Sequence, residues 1–161
     1  MRLRAFAVAL VVVSCVAAQA QPDGREIFSQ QCIACHQPDG KGVPGNFPPL
    51  AGNPDLFLAR DFPARMVLFG ISGKIKVMGQ EIDGAMPPLG DQLKDDEIAA
   101  VVNYVRGAFG NDKLRPKDMA PKDMAPKDMA PLDAATVAGL RKLKDADKTY
   151  EYRASLQAAK K

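Results

Sequence analysis

Cys32-Ile33-Ala34-Cys35-His36 is the stretch on which this sequence turns. Two thiols three positions apart, followed at once by an imidazole, are the attachment signature of a c-type haem. The spacing has a chemical cause. Each Cys adds across one vinyl group of the porphyrin, and His36 then offers a ring nitrogen to the iron as proximal ligand. Three plainer readings compete. A zinc site needs about four ligands, and after residue 20 the chain holds two Cys and one His. A thioredoxin-like redox pair needs a βαβ setting, and nothing nearby alternates like a strand. A structural disulfide leaves the adjacent His unexplained.

Upstream, Asp23 to Cys35 reads as one helix with Asp23 as N-cap and Ile27, Phe28 and Ile33 as its apolar positions. Phe28 stands one turn before Cys32 on the same face. Gly24, one turn further back, either permits a close helix crossing or merely begins the helix. Before that, Arg2 and Arg4, the apolar run Ala5 to Val13 and the small-residue site Ala18-Gln19-Ala20 mark residues 1–20 as an export signal, too short in its apolar part to span a bilayer. Val12-Val13-Ser14-Cys15 offers a second processing route, a lipoprotein signal; membrane attachment is expected only if Cys15 carries a lipid.

Downstream, 37–54 is a loop rich in Gly and Pro, long enough to wrap one face of a porphyrin. A His ligand usually donates its other ring N–H to a carbonyl or carboxylate, and Pro48 in Phe47-Pro48-Pro49-Leu50 is the candidate acceptor. Residues 53–70 read as one or two helices interrupted at Pro63. Residues 72–90 read as a second irregular stretch. His36 is the one histidine in the sequence, so two imidazoles from this chain cannot share an iron. The sixth position falls to Met, Lys, water or nothing. Met86 is the best-placed sulfur, in Gly84-Ala85-Met86-Pro87-Pro88-Leu89. Gly84 would let the backbone approach the ring, and two prolines would hold the thioether with little entropy to lose. Met78 is the alternative, and a core-filling Met the plain one. Lys94 to Phe109 is the strongest helix, with Ile98, Val101, Val102, Val105 and Phe109 at three- and four-residue steps, and it is expected to cross the first helix near Gly24 and Phe28.

Residues 22–111 thus resemble a class I, mono-haem cytochrome c of the bacterial periplasmic type. The resemblance rests on Gly24 and Phe28 at their spacing before Cys32, the Cys32 to His36 motif, Pro48 with Leu50, Met86 with Pro87, and the Val101 and Tyr104 pair in the last helix. It implies an all-α fold whose helices wrap one covalently attached haem, with Cys32 and Cys35 holding haem c and His36 and Met86 ligating its iron. It further implies a periplasmic carrier of single electrons rather than an enzyme. A dehydrogenase would be the donor, and an oxidase or another cytochrome the acceptor. A dedicated cytochrome subunit of a dehydrogenase, and a haem enzyme or gas sensor with a labile sixth ligand, remain as alternatives.

The expected organisation is a signal at 1–20, a haem domain at 21–111, a linker at 112–131 and a charged helical tail at 132–161. The linker repeats Lys117-Asp118-Met119-Ala120-Pro121 at 122–126 and 127–131. Proline every fifth residue favours an extended spacer, and its thioethers raise the idea of Cu(I) capture. The tail reads as one helix over 132–159 with a thin apolar stripe, expected to be solvated and partly frayed, or else a docking helix for a partner. Charge divides along the same line. Residues 21–111 carry eight basic against eleven acidic side chains, a net of −3; residues 112–161 carry twelve against eight, a net of +4. No strong basic patch with interleaved aromatics occurs, so nucleic acid is not an expected partner.

Overall fold

Asp23 starts the first helix as expected. In a computed structural model of the chain its carboxylate accepts the Arg25 N–H at 2.8 Å, and α1 runs Gly24–Gln31. The structure describes residues 21–114, 130–143 and 148–159. The segment read as an export signal, with Cys15, and all but the end of the five-residue repeats lie outside the described residues.

The helix read through to Cys35 is broken at Cys32. A separate short helix, α2 Ile33–His36, follows, so the two thiols and the imidazole sit on a bend rather than on a continuous rod. The 53–70 segment resolves into a 3₁₀ turn, Pro54–Phe57, and α3, Phe62–Phe69. Pro63 does not interrupt α3 but lies in its first turn, where a missing N–H costs no hydrogen bond. Asn53 caps the 3₁₀ turn.

The all-α expectation needs one correction. Residues 72–90 are not irregular. They hold most of an antiparallel hairpin, β1 Ile71–Val77 and β2 Gln80–Met86, in register from Ile71↔Met86 to Val77↔Gln80. Met78 and Gly79 make the two-residue turn with φ of 50° and 84°, the geometry that matches strand twist.

Helix α4, Asp95–Gly107, begins with acidic residues and with Glu97 accepting the Lys94 N–H at 2.7 Å. It ends two residues before the expected Phe109. There the chain turns through φ 56° and folds the Phe109 ring back onto Phe28 and Tyr104, with centroids 5.3 and 6.0 Å away. Helix α1 crosses α4 at Gly24. A Cβ at that position would be driven into the Ala100 carbonyl, so the glycine does permit the close crossing.

The tail departs most from expectation. Among the described residues it forms two helices, α5 Ala134–Arg141 and α6 Thr149–Ala158, and both lie on the haem domain. Leu132, Val137 and Leu140 are buried in the same core as Phe28, Ile98 and Val102. Asn103 exchanges two 2.8 Å hydrogen bonds with the Leu132 backbone. Arg141 pairs with Asp95 at 2.7 Å and donates to the Gly90 and Leu93 carbonyls. The solvated, frayed tail is therefore corrected to a docked one. A thin apolar stripe suffices because four or five apolar side chains are joined by arginines that satisfy carbonyls the core leaves open.

Candidate haem pocket

Cys32, Cys35 and His36, together with Met86 far downstream, line a single cavity with about 1330 Å³ of empty space including its mouth. Its walls come from every part of the haem domain. Gln31 to His36 supply one side, Phe47 to Leu50 the loop side, and Val101, Val102 and Val105 of α4 the floor. The hairpin supplies a wall by alternation. Ile71, Gly73, Ile75 and Val77 of β1, with Ile82, Gly84 and Met86 of β2, line the cavity in the period of two that a strand imposes, and Ala85 reaches it as well.

The imidazole is held ready. His36 is 9% exposed, and its Nδ1 lies 3.0 Å from the Pro48 carbonyl oxygen, the expected acceptor. That oxygen can only accept, so Nδ1 carries the proton and Nε2 keeps its lone pair. Burial lowers the His36 pKa, an effect opposed by the Pro48 bond, and both features favour the neutral ring. The loop that brings Pro48 there is tied down on itself and on α4. Leu50 N–H donates to the Gly40 carbonyl at 2.7 Å. Asn111, fully buried, donates to the Leu50 and Val105 carbonyls and accepts the Gly52 N–H. Arg106, buried in α4, donates to the Leu56 and Ala59 carbonyls at 3.0 and 2.9 Å. Neither anchor was singled out from sequence; each is a polar residue in the best helical stripe or just past its end, and only the packing shows its targets.

The two thiols are not joined to each other. Burial, with Cys35 beside it, pushes the Cys32 thiol up to about 11, so it stays protonated at neutral pH. Among the described residues no group of three or more His, Cys, Asp and Glu could hold a metal ion.

Of the sulfurs, Met86 and Met66 line the cavity. Met78 does not. It sits at the hairpin tip, 53% exposed. Met66 is a core side chain of α3, packed with Leu58 and Phe62, whereas Met86 is partly exposed and packs at the edge of that cluster. The role expected for Gly84 shifts: its close approach is to the backbone of Asn46. The backbone of Met86 is instead positioned by Gly70, which ends α3 at φ 71°, ψ −177°. A Cβ on Gly70 would collide with the Met86 carbonyl and press on Pro87 and Pro88. That backbone region is open essentially to glycine alone. Gly70→Ala is therefore expected to lower stability by about 1–3 kcal/mol and to weaken any sulfur–iron absorption, as read by thermal melts and near-infrared spectra of the oxidised protein.

Arg153 of α6 also lines the cavity. It is 6% exposed, pairs with Asp55 at 2.5 Å and donates to the Lys76 carbonyl at 2.7 Å. Sequence reasoning missed it. The available signal was the opposed net charge of tail and haem domain.

An apolar chamber walled by helices, with two thiols, one neutral imidazole and a thioether at its surface, is the architecture of a c-type haem protein, and its donor set fits that group. The profile of the cytochrome c family matches residues 22–109. The chain is 45% identical over 100 residues to a cytochrome c-552 of Thermus thermophilus, covering 60% of this chain and 66% of that one. It is 34% identical over 99 residues to cytochrome c6 of Cladophora glomerata, covering 61% and 99%. Over 93 residues it is 40% identical to the cytochrome c subunit of a quinone alcohol dehydrogenase from Gluconobacter oxydans, covering 55% of this chain and 19% of that one. The chain belongs to the cytochrome c family. With that membership come a covalently bound haem c, its iron, and electron transfer as the function of the haem domain.

Proposed function

We propose that this protein carries single electrons between redox proteins of the bacterial periplasm, through a haem c held by Cys32 and Cys35 and ligated by His36 and Met86. The observation that carries the reading is the convergence of those four side chains on one apolar cavity. The bound haem supplies a reversible one-electron couple. The chain supplies the rest. Pro48 fixes the imidazole so that one nitrogen lone pair is available. Gly70 and Pro87 hold the Met86 backbone in place. The aliphatic walls lower the local dielectric and keep water away from the metal site. With His36 and Met86 both committed to the iron, no open site would be left for a substrate, and catalysis is not expected. Among the described residues no helix is long and apolar enough to cross a membrane.

Thioether ligation raises the reduction potential, so redox titration of the exported protein is expected to give a positive midpoint. A strongly negative value would contradict Met ligation. Slow or absent CO binding to the reduced form is expected as well; rapid binding would favour the enzyme or sensor alternative.

The donor would be a periplasmic dehydrogenase, and the acceptor an oxidase or another cytochrome. A second setting, as a dehydrogenase's own cytochrome subunit, is favoured by the likeness to the Gluconobacter subunit. Docking of α5 and α6 on the haem domain, with Arg141 and Arg153 bonded to it, speaks for a tail that serves its own domain rather than a tether. Co-purification of the intact protein with a dehydrogenase would separate the two settings.

Partner recognition should depend little on salt. Lys41 pairs with Asp39 at 2.9 Å and Lys74 lies 3.7 Å from Asp83, both at the surface, so these lysines present little net field. Stopped-flow electron exchange is expected to vary by less than about threefold from low to physiological ionic strength, where a steered encounter would fall steeply.

A further inference from the structure

Helix α6 does more than cover apolar surface. In a two-stranded sheet β1 has an outer edge that β2 does not reach, where carbonyls two residues apart point the same way. Helix α6 supplies donors to two of them: Tyr150 Oη to the Lys74 carbonyl at 2.9 Å, and the Arg153 guanidinium to the Lys76 carbonyl at 2.7 Å. The same helix grips the opposite wall of the cavity. Arg153 pairs with Asp55 in the 3₁₀ turn, and Gln157 reaches the same carboxylate at 3.3 Å. Tyr152 donates to Asp61, at the start of α3, at 2.6 Å, with the Arg65 guanidinium 4.3 Å above its ring. Tyr152 and Leu156 then join Ile71 and Met86 on the cluster formed by Leu58, Phe62 and Met66. Ile71 and Met86 are cross-strand partners in the hairpin.

From this we infer that α6 is a latch on the sixth ligand. By clamping the outer edge of the hairpin to the 3₁₀ turn and α3, it sets how often the Met86 end of the hairpin swings from the cavity. Arg153 is the main positioning residue, because among the described residues of α6 it alone bonds both walls. The inference rests on the reading of Met86 as an iron ligand. It assigns the tail a task in the haem chemistry, namely to keep the iron closed to small exogenous ligands while electrons pass.

Breaking one partner of a buried ion pair leaves the other uncompensated, so the latch should fail sharply at Arg153. The probe is imidazole, mixed with the oxidised, full-length, haem-loaded protein in a stopped-flow instrument. Imidazole can bind only as fast as Met86 leaves. Arg153→Leu is expected to bind it about tenfold faster or more than wild type, and Arg153→Lys, which keeps the charge but loses the fork that spans both walls, at a rate between the two. Tyr150 is exposed, so Tyr150→Phe leaves the fold intact while removing one edge bond, and about a threefold acceleration is expected. If Arg153→Leu does not fold, Tyr150→Phe and Arg153→Lys carry the test. Wild-type rates in the folded variants, with an unchanged near-infrared band, would overturn the latch and leave Met86 ligation standing. A wild-type protein that lacks that band from the outset would sink the ligand assignment, and the latch with it.

Discussion

Gly24→Ala is expected to destabilise the haem domain by about 3 kcal/mol, a fall of roughly 10–25 °C in the melting midpoint for a unit of this size. The sign is the informative part. In an exposed helix the same change stabilises by about 1 kcal/mol. Here the added methyl would meet the Ala100 carbonyl and the Tyr104 Cβ. Neither can swing away, because one is backbone in mid-helix and the other is fixed to it. Helix α1 would have to back off from α4 and carry with it Phe28, 2% exposed and stacked against Tyr104 at 5.7 Å. Phe28 is one turn from Cys32, and its carbonyl accepts the Cys32 N–H at 2.9 Å. Displacement at Gly24 is thus passed to Cys32, the thiol proposed to hold the porphyrin. Gly139→Ala in α5 is the control: among the described residues nothing lies near its would-be Cβ, and a small gain in stability is expected. Thermal unfolding of the two variants followed by circular dichroism checks both signs, and a gain at Gly24 would mean that the crossing is looser than described.

How much of this was legible in the sequence depends on the range of the interaction concerned. The Cys32 to His36 motif, the Gly24 and Phe28 spacing and the α4 stripe are local patterns with one physical solution each, and the structure reproduces the crossing they imply. The Pro48 acceptor was legible because an imidazole that serves a metal needs a partner, and the nearby Pro-rich loop offers a stiff one. The hairpin was not. Its alternation of Ile71, Ile75, Val77 and Ile82 is diluted by the facing pair Gly73 and Gly84, and its turn is Met-Gly rather than the usual Asn-Gly. A strand that needs a non-glycine residue at φ 50° gives almost no local signal.

The tail failed for another reason. Its stripe was correctly seen as too thin to hold a helix alone, yet the conclusion drawn was solvation. What decides the matter is tertiary. Asp55, Asp61 and Asp95 lie forty or more residues upstream of Arg141, Tyr152 and Arg153, the residues that bond them. Net charge of opposite sign on the two segments was the one visible trace of that pairing.

Met86→Ala is expected to abolish the near-infrared sulfur–iron absorption and to lower the midpoint potential by a sizeable fraction of the ~0.8 V range that axial ligation spans. The reasoning runs through what the cavity offers in its place. His36 is the only imidazole of the sequence, and of the other cavity-lining side chains Met66 is packed into the core of α3 and Arg153 is a cation. The variant would therefore take water or an added ligand, and CO would bind its reduced form rapidly. Two companion variants make the assignment specific. Met78→Ala, at an exposed hairpin tip, is expected to change neither spectrum nor potential. Met66→Ala removes a side chain 8% exposed and is expected to cost about 2–5 kcal/mol in stability while the near-infrared band persists. The three outcomes separate ligation from packing, because loss of a core methionine shows in the melting curve and loss of a ligand in the spectrum. Should Met66→Ala abolish the band and Met86→Ala preserve it, the iron would be capped from α3, and the hairpin would be a wall of the pocket with no part in ligation.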